Sequence, residues 1–138
     1  RNKLSLYKIF DLVIPFVALG QAIGRVGCLL NGCCFGKVSR FGLYFDVHES
    51  VLIPTQIYSS LILIFIFIVL RFLQDRTHRE GEIFFSYLML YSIKRFFIEF
   101  WRGDNEIILF RLTLFQIISI AVICLSFIKL ILIKKSRK

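Results

Sequence analysis

At 138 residues, 57% hydrophobic and with sixteen Phe against two Pro, the chain is more apolar than soluble domains, which average about 45–50% apolar residues. That excludes an ordinary soluble fold and points to one integral membrane domain over residues 1–138. The net charge of +9 does not mark a nucleic-acid partner, because no basic soluble stretch is long enough to form such a module.

Four apolar segments follow in chain order, each near the roughly 20 residues that cross a bilayer as a helix. The expected fold class is therefore all-α, a polytopic helical membrane protein with about four transmembrane helices. The opening "RNKLSLYKIF" is not a signal peptide, since Lys8 and Asp11 break its apolar run. The first segment covers about 9–30 and holds Asp11, Pro15, Gly20, Gly24 and Gly27. Its glycines suit close helix packing or a bend. It runs into "GQAIGRVGCLLNGCCFGK" (20–37), where five Gly and three Cys accompany Arg25 and Asn31. Glycines there let backbone approach a ligand or turn sharply.

The second segment, about 55–73, opens with "IPTQIYSS". Pro54 suits a helix's first turn, and Thr55 and Gln56 are polar at its mouth, as caps or as site residues. Tyr58, Tyr44 and Trp101 suit interfacial anchoring. The fourth segment, about 112–133, is uniformly apolar, and its Cys124 is expected to pack inside.

The third segment, about 83–101, carries Lys94, Arg95 and Glu99. Each ionisable group in a span costs roughly 2.5–3.5 kcal/mol on insertion scales, so three call for a reason. Tyr91, Arg95, Glu99 and Arg102 fall within one helical stripe of about 80°. Glu99 can orient both Arg95 and Arg102. Lys94 falls off that stripe and is expected to matter little. The stripe reads either as ion pairing between helices or as an anion site completed by Arg25. Arginine suits a phosphate, being always charged and able to donate two parallel hydrogen bonds. Asn31 adds a neutral donor and acceptor.

Loop charge sets the topology. The N-terminal flank, the "QDRTHREGE" loop and the tail hold nine basic residues, against Lys37, Arg40, Arg102 and Arg111 on the other side. The termini are then cytoplasmic and the motif loops face outward.

Cys28, Cys33 and Cys34 follow a C-x4-C-C spacing that is poor for zinc, so no metal is expected. His48 and His78 fall on opposite sides of the membrane. The three thiols read as buried apolar groups, as a Cys28–Cys33 or Cys28–Cys34 disulfide, or as catalytic thiols.

Three motifs in order carry a family resemblance over nearly the whole chain. "GRVGCLLNGCCFG" resembles the G-R-x-G-N-x-x-N-G-E-x-x-G signature of bacterial prolipoprotein diacylglyceryl transferases, keeping Gly24, Arg25, Gly27, Asn31, Gly32 and Gly36. "IPTQIYS" resembles H-P-[ST]-Q-L-Y-E, keeping Pro54, Thr55, Gln56 and Tyr58. "YSIKRFFIEFWR" resembles Y-x3-R-F-x2-E-x2-R, keeping Tyr91, Arg95, Phe96, Glu99 and Arg102. Departures are Cys28 for the family Asn, Cys33 for Glu, Ile53 for His and Ser59 for Glu.

The resemblance implies seven spans in the intact enzyme, this chain matching the C-terminal part, in the bacterial plasma membrane. It implies transfer of the diacylglyceryl group of phosphatidylglycerol to the lipobox cysteine of a prolipoprotein signal peptide, with no cofactor. Arg25, Arg95, Arg102, Glu99 and Tyr91 are then the catalytic candidates. Gly24, Gly27, Asn31, Gly32, Gly36, Gln56 and Tyr58 are the substrate-binding ones. Two alternatives stand beside it: a membrane protein of the same fold that binds anionic phospholipid without turnover, and a thiol–disulfide oxidoreductase using Cys28, Cys33 and Cys34.

Overall fold

A computed structural model describes residues 5–76, 78–102, 107–109 and 112–135. Four helices carry the chain back and forth: α1 (Leu6–Leu30), α2 (Thr55–Gln74), α3 (Glu82–Trp101) and α4 (Leu114–Lys135). Helices α1, α2 and α4 are long and apolar enough to cross a membrane. Helix α3 has the same 20 residues as α2, a length of about 30 Å, but carries the charged groups. The helical architecture matches the expected class. Two short antiparallel pairs are added in the connections: β1 (Val38–Phe45) with β2 (Ser50–Leu52), and β3 (Ile107–Leu109) with β4 (Leu112–Thr113). Arg1, Lys3, Arg111, Arg137 and Lys138, which enter the loop-charge count, lie outside the described residues.

The helices bury small and polar residues along with a few large apolar ones, and expose most of their large apolar side chains. Helix α2 buries Gln56, Ser59, Ser60, Leu63, Ile66 and Leu70, spaced three or four apart on one face. Its opposite face exposes Leu61, Phe65, Ile68 and Phe72. Helix α4 buries Gln116, Ser119 and Ser126 while Leu125, Phe127 and Ile128 face out. A helix that is apolar all round has no hydrophobic reason to choose a face, so small residues and hydrogen bonds choose it. Helix α1 packs on α2 and α3, and α4 packs on α3. The apolar core is Ala18, Ile66, Leu70, Ile83 and Tyr87. Ser60 Oγ donates to the Ala22 carbonyl at 2.9 Å, and Tyr87 OH to Gln21 Oε1 at 2.9 Å, pinning α2 and α3 to α1.

Helix α1 runs unbroken through Pro15. Proline lacks the N–H that would bond the carbonyl four residues back, which is that of Asp11. Gln74, at the end of α2, supplies the missing donor: its Nε2 lies 2.9 Å from the Asp11 carbonyl oxygen. The Asp11 carboxylate caps another helix altogether. It accepts the Gly81 N–H at 2.6 Å and the Phe84 N–H at 2.8 Å, two of the orphan donors at the start of α3. One residue thus ties α1, α2 and α3 together at the end of the bundle away from the motifs.

Two packing expectations are corrected. A Cβ added at Gly20, Gly24 or Gly27 would meet nothing within 4 Å, so among the described residues these glycines do not serve close helix packing. Cys124 is exposed rather than packed inside, because α4 turns its serines inward.

Candidate functional site

The first motif begins with a helix stop. After Leu30, Asn31 is the C-cap and Gly32 takes the left-handed conformation at φ +66. The Cys33 N–H returns to the Cys28 carbonyl at 3.1 Å and the Gly32 N–H to that of Leu29 at 3.1 Å. This is the Schellman arrangement, and it explains Gly32 by backbone chemistry. Asn31 itself is exposed.

The turn is then fastened to α2. Gln56 Nε2 donates to the Cys33 carbonyl at 2.6 Å, and Thr55 Oγ1 to the Cys34 carbonyl at 2.7 Å. The Gln56 side chain is buried, and its Oε1 has no donor among the described residues. Cys34 sits at φ 62, a conformation rare for a residue with a Cβ, and these bonds hold it there.

Gly36 is where the three motifs meet. Its N–H donates to the Ile53 carbonyl at 2.9 Å, the neighbouring Lys37 N–H donates to that of Trp101 at 2.8 Å, and Gly36 pairs as a β-bridge with Arg102. A Cβ at Gly36 would lie 2.7 Å from the Trp101 oxygen and 2.8 Å from Ile53 Cβ. Only glycine fits this crossing without displacing backbone.

Below the crossing lies a cavity of about 260 Å³, lined by Gln21, Gly24, Arg25 and Cys28 of α1, Leu63 of α2, and Tyr91 and Lys94 of α3. Lys94, off the face that carries Arg95 and Glu99, is nonetheless buried here. It is 4% exposed, and its Nζ lies 4.4 Å from the centroid of the Tyr91 ring. The reason is that α3 is used on two sides. Tyr91 and Lys94 face α1 and α2, whereas Arg95 lies 4.4 Å over the ring of Phe115 in α4. Residues 94 and 95 stand about 100° apart, so a helix sandwiched between neighbours can bury both.

Glu99 occupies the α4 side. Its Oε2 is 3.2 Å from Arg95 Nη2, and its Oε1 accepts the Thr113 hydroxyl at 2.8 Å. Thr113 and Gln116 form a reciprocal cap at the start of α4. The Thr113 N–H donates to Gln116 Oε1 at 3.0 Å, and the Gln116 N–H to Thr113 Oγ1 at 3.4 Å. The T-x-x-Q spacing before an apolar run was the sequence signal for this cap. Nothing in the sequence said that Thr113 would also reach Glu99.

Tyr58 is exposed, its ring 6.1 Å from that of Trp101. Cys28, Cys33 and Cys34 are half-buried free thiols whose sulfurs all lie within 4.8 Å of one another. Burial raises the Cys33 thiol, but hydrogen bonding with Cys34, Cys28 and Asn31 outweighs it and holds the group below its ordinary value. A larger cavity, about 520 Å³, lies at the other end of the bundle among Tyr7, Arg79, Phe85, Lys129 and Ile133, away from all three motifs.

Comparison with known proteins matches residues 1–132 to the prolipoprotein diacylglyceryl transferase family. The chain belongs to that family. It is 36% identical to phosphatidylglycerol–prolipoprotein diacylglyceryl transferase 2 of Clostridium perfringens, over 89% of this chain and 51% of that protein. The Clostridium tetani transferase is 36% identical over 91% of this chain and 53% of its own length. That of Bacillus cytotoxicus is 37% identical over 98% and 54%. The chain thus spans about half the length of the curated relatives it matches. Within the family frame, Arg25 and Tyr91 of the first and third motifs line one cavity. Gln56 of the second motif holds the turn at its rim.

Proposed function

We propose that this chain carries the phosphate-handling part of an enzyme that transfers the diacylglyceryl group of phosphatidylglycerol to the lipobox cysteine of prolipoproteins. The observation that carries the reading is one cavity shared by Arg25 and Lys94, from different helices, beneath the point where the three family motifs meet. Positive charge on both side chains in one cavity is self-repelling, and an anionic phosphate relieves that repulsion.

The reaction forms a C–S bond and breaks the C–O bond to the phosphate. The thiol sulfur attacks the terminal carbon of the diacylglyceryl group, its proton passes to water, and glycerol phosphate departs with the bonding pair. Charge builds on the phosphate oxygens as the C–O bond lengthens. Arg25 can hold two of those oxygens by parallel hydrogen bonds, and Lys94 can act as a point charge beside them. Tyr91, carrying Lys94 against its ring, fixes where that charge sits. The Arg95–Glu99–Thr113 chain holds α3 against α4, and Arg102 joins the crossing at Gly36. In this reading the motif end faces outward from the bacterial plasma membrane, and both termini lie in the cytoplasm.

The test is transfer of labelled diacylglyceryl from phosphatidylglycerol to a lipobox peptide by the full-length gene product in native-like membranes, with Arg25→Ala alongside. Turnover that is lost in a folded Arg25→Ala protein supports the reading. Phosphatidylglycerol binding with no turnover by the unaltered protein would replace it with lipid binding alone.

A further inference from the structure

We propose that Cys28, Cys33 and Cys34 form a three-thiolate site for a soft d10 cation, Zn(II) in the first instance, whose open fourth position takes the substrate thiol. This rests on the diacylglyceryl transferase reading above. The spacing C-x4-C-C gave no such indication; the fold supplies it. The Schellman turn brings Cys33 back over the last turn of α1, where Cys28 lies, and the left-handed Cys34 folds its side chain toward the same point.

A triangle of sulfurs with no edge above 4.8 Å has a point no more than about 2.8 Å from every corner, and Zn–S bonds are about 2.3 Å. Closing on a cation therefore takes movements of about half an ångström, within reach of a side-chain torsion. The backbone of the two adjacent cysteines is held by two hydrogen bonds from Thr55 and Gln56, so the site is fixed before any ion arrives. One further observation points to a ligand: Cys28 also lines the cavity that holds Arg25 and Lys94, which places the thiol cluster against the anion site.

Three thiolates on Zn(II) leave a net charge of −1, which Arg25 is placed to offset. Zinc with three protein ligands keeps an open position. A cysteine thiol entering it forms a Zn–S bond and releases its proton to water. The bound thiolate then attacks the terminal carbon of the diacylglyceryl group. The C–S bond forms, glycerol phosphate leaves with the C–O pair, and the neutral thioether, a weaker ligand, comes off the metal. No oxidant or reductant is needed. Two of the three ligands stand where the family signature has Asn and Glu, so the site belongs to chains with this substitution.

The test uses the full-length protein, stripped with a chelator and reloaded with one equivalent of Co(II) or Zn(II). The expected results are one bound metal per chain and a thiolate-to-cobalt charge-transfer band of three-sulfur intensity. The band should rise by about a third when a lipobox peptide is added, and not with its Cys→Ser version. Metal content should fall at least tenfold in C33S/C34S, neither of which lines the Arg25 cavity, while phosphatidylglycerol binding stays. No stoichiometric metal, a Cys28–Cys33 or Cys28–Cys34 disulfide in the purified protein, or metal that ignores the peptide thiol would each overturn the inference. Full transfer activity by metal-free enzyme would overturn it while leaving the transferase reading intact. A metal site that binds the peptide thiol in a protein without turnover would uphold the site and remove the transferase reading instead.

Discussion

The ammonium of Lys94 stands 4.4 Å from the centre of the Tyr91 ring, on the face of α3 that looks toward Arg25. A lysine held this way is fixed in place and shielded from solvent. We expect Lys94→Met, which keeps the stem and removes the charge, to lower kcat/KM for diacylglyceryl transfer by about 10²–10³-fold, the usual cost of removing one charge-stabilising group. Lys94→Arg should recover part of it. A folded Lys94→Met protein with unchanged kcat/KM would take Lys94 out of the site.

Arg95 should behave differently, because its partner is fully buried. Removing the guanidinium breaks the 3.2 Å ion pair with the buried Glu99 carboxylate, which keeps its bond from the Thr113 hydroxyl and its other contacts. Breaking one side of such a pair costs about 3–5 kcal/mol. Unfolding of Arg95→Ala in mild detergent should show that loss. The Arg95→Met/Glu99→Gln pair should recover most of it. If the double variant is no more stable than the single, the loss does not come from the broken Arg95–Glu99 pair.

Asp11 and Gln74 can be separated by a double-mutant cycle. Gln74→Ala strands the Asp11 carbonyl only because residue 15 is proline, so Pro15→Ala should cancel most of its cost of about 1–3 kcal/mol. Asp11→Ala loses the α3 cap and should cost a similar amount whichever residue occupies position 15. Transfer activity per folded molecule should be unchanged in all of these. Equal costs for Gln74→Ala in both backgrounds would refute the link to Pro15.

Gly36, at the end of the first motif, and Gly20, on α1 before it, should respond oppositely. Gly36→Ala drives a Cβ to 2.7 Å from a carbonyl oxygen at the crossing of the motifs, and should sharply lower folded yield. Gly20→Ala meets open space on a helix, and should be neutral or stabilising by about 0.5–1 kcal/mol. Thermal melts of the two variants in detergent make the comparison.

Much of the site was legible because charge in an apolar segment is conspicuous. Arg25, Arg95 and Glu99 stood out for that reason, and the Arg95–Glu99 pair follows from spacing on one helix. The burial of Lys94 is not legible in the sequence because a single stripe assumes one buried face, and α3 has neighbours on both sides. The three cysteines stand out in the sequence as buried thiols, a disulfide or reactive thiols, but their convergence on one point rests on a left-handed turn that residue spacing does not show. Thr113 and Gln74 were missed because polar residues at helix ends look like ordinary caps until their distant partners are known.

What the sequence by itself determined is the set of helices, their approximate ends and the polar groups that must find partners. Those follow from local chemistry: apolar length, proline and glycine, and the cost of leaving charge in hydrocarbon. Only the tertiary structure decided which face of each helix is inside. With apolar side chains all round, burial in a membrane does not distinguish one face from another. The choice falls to a few hydrogen bonds between residues far apart in the chain, such as Gln74 to Asp11 and Thr113 to Glu99.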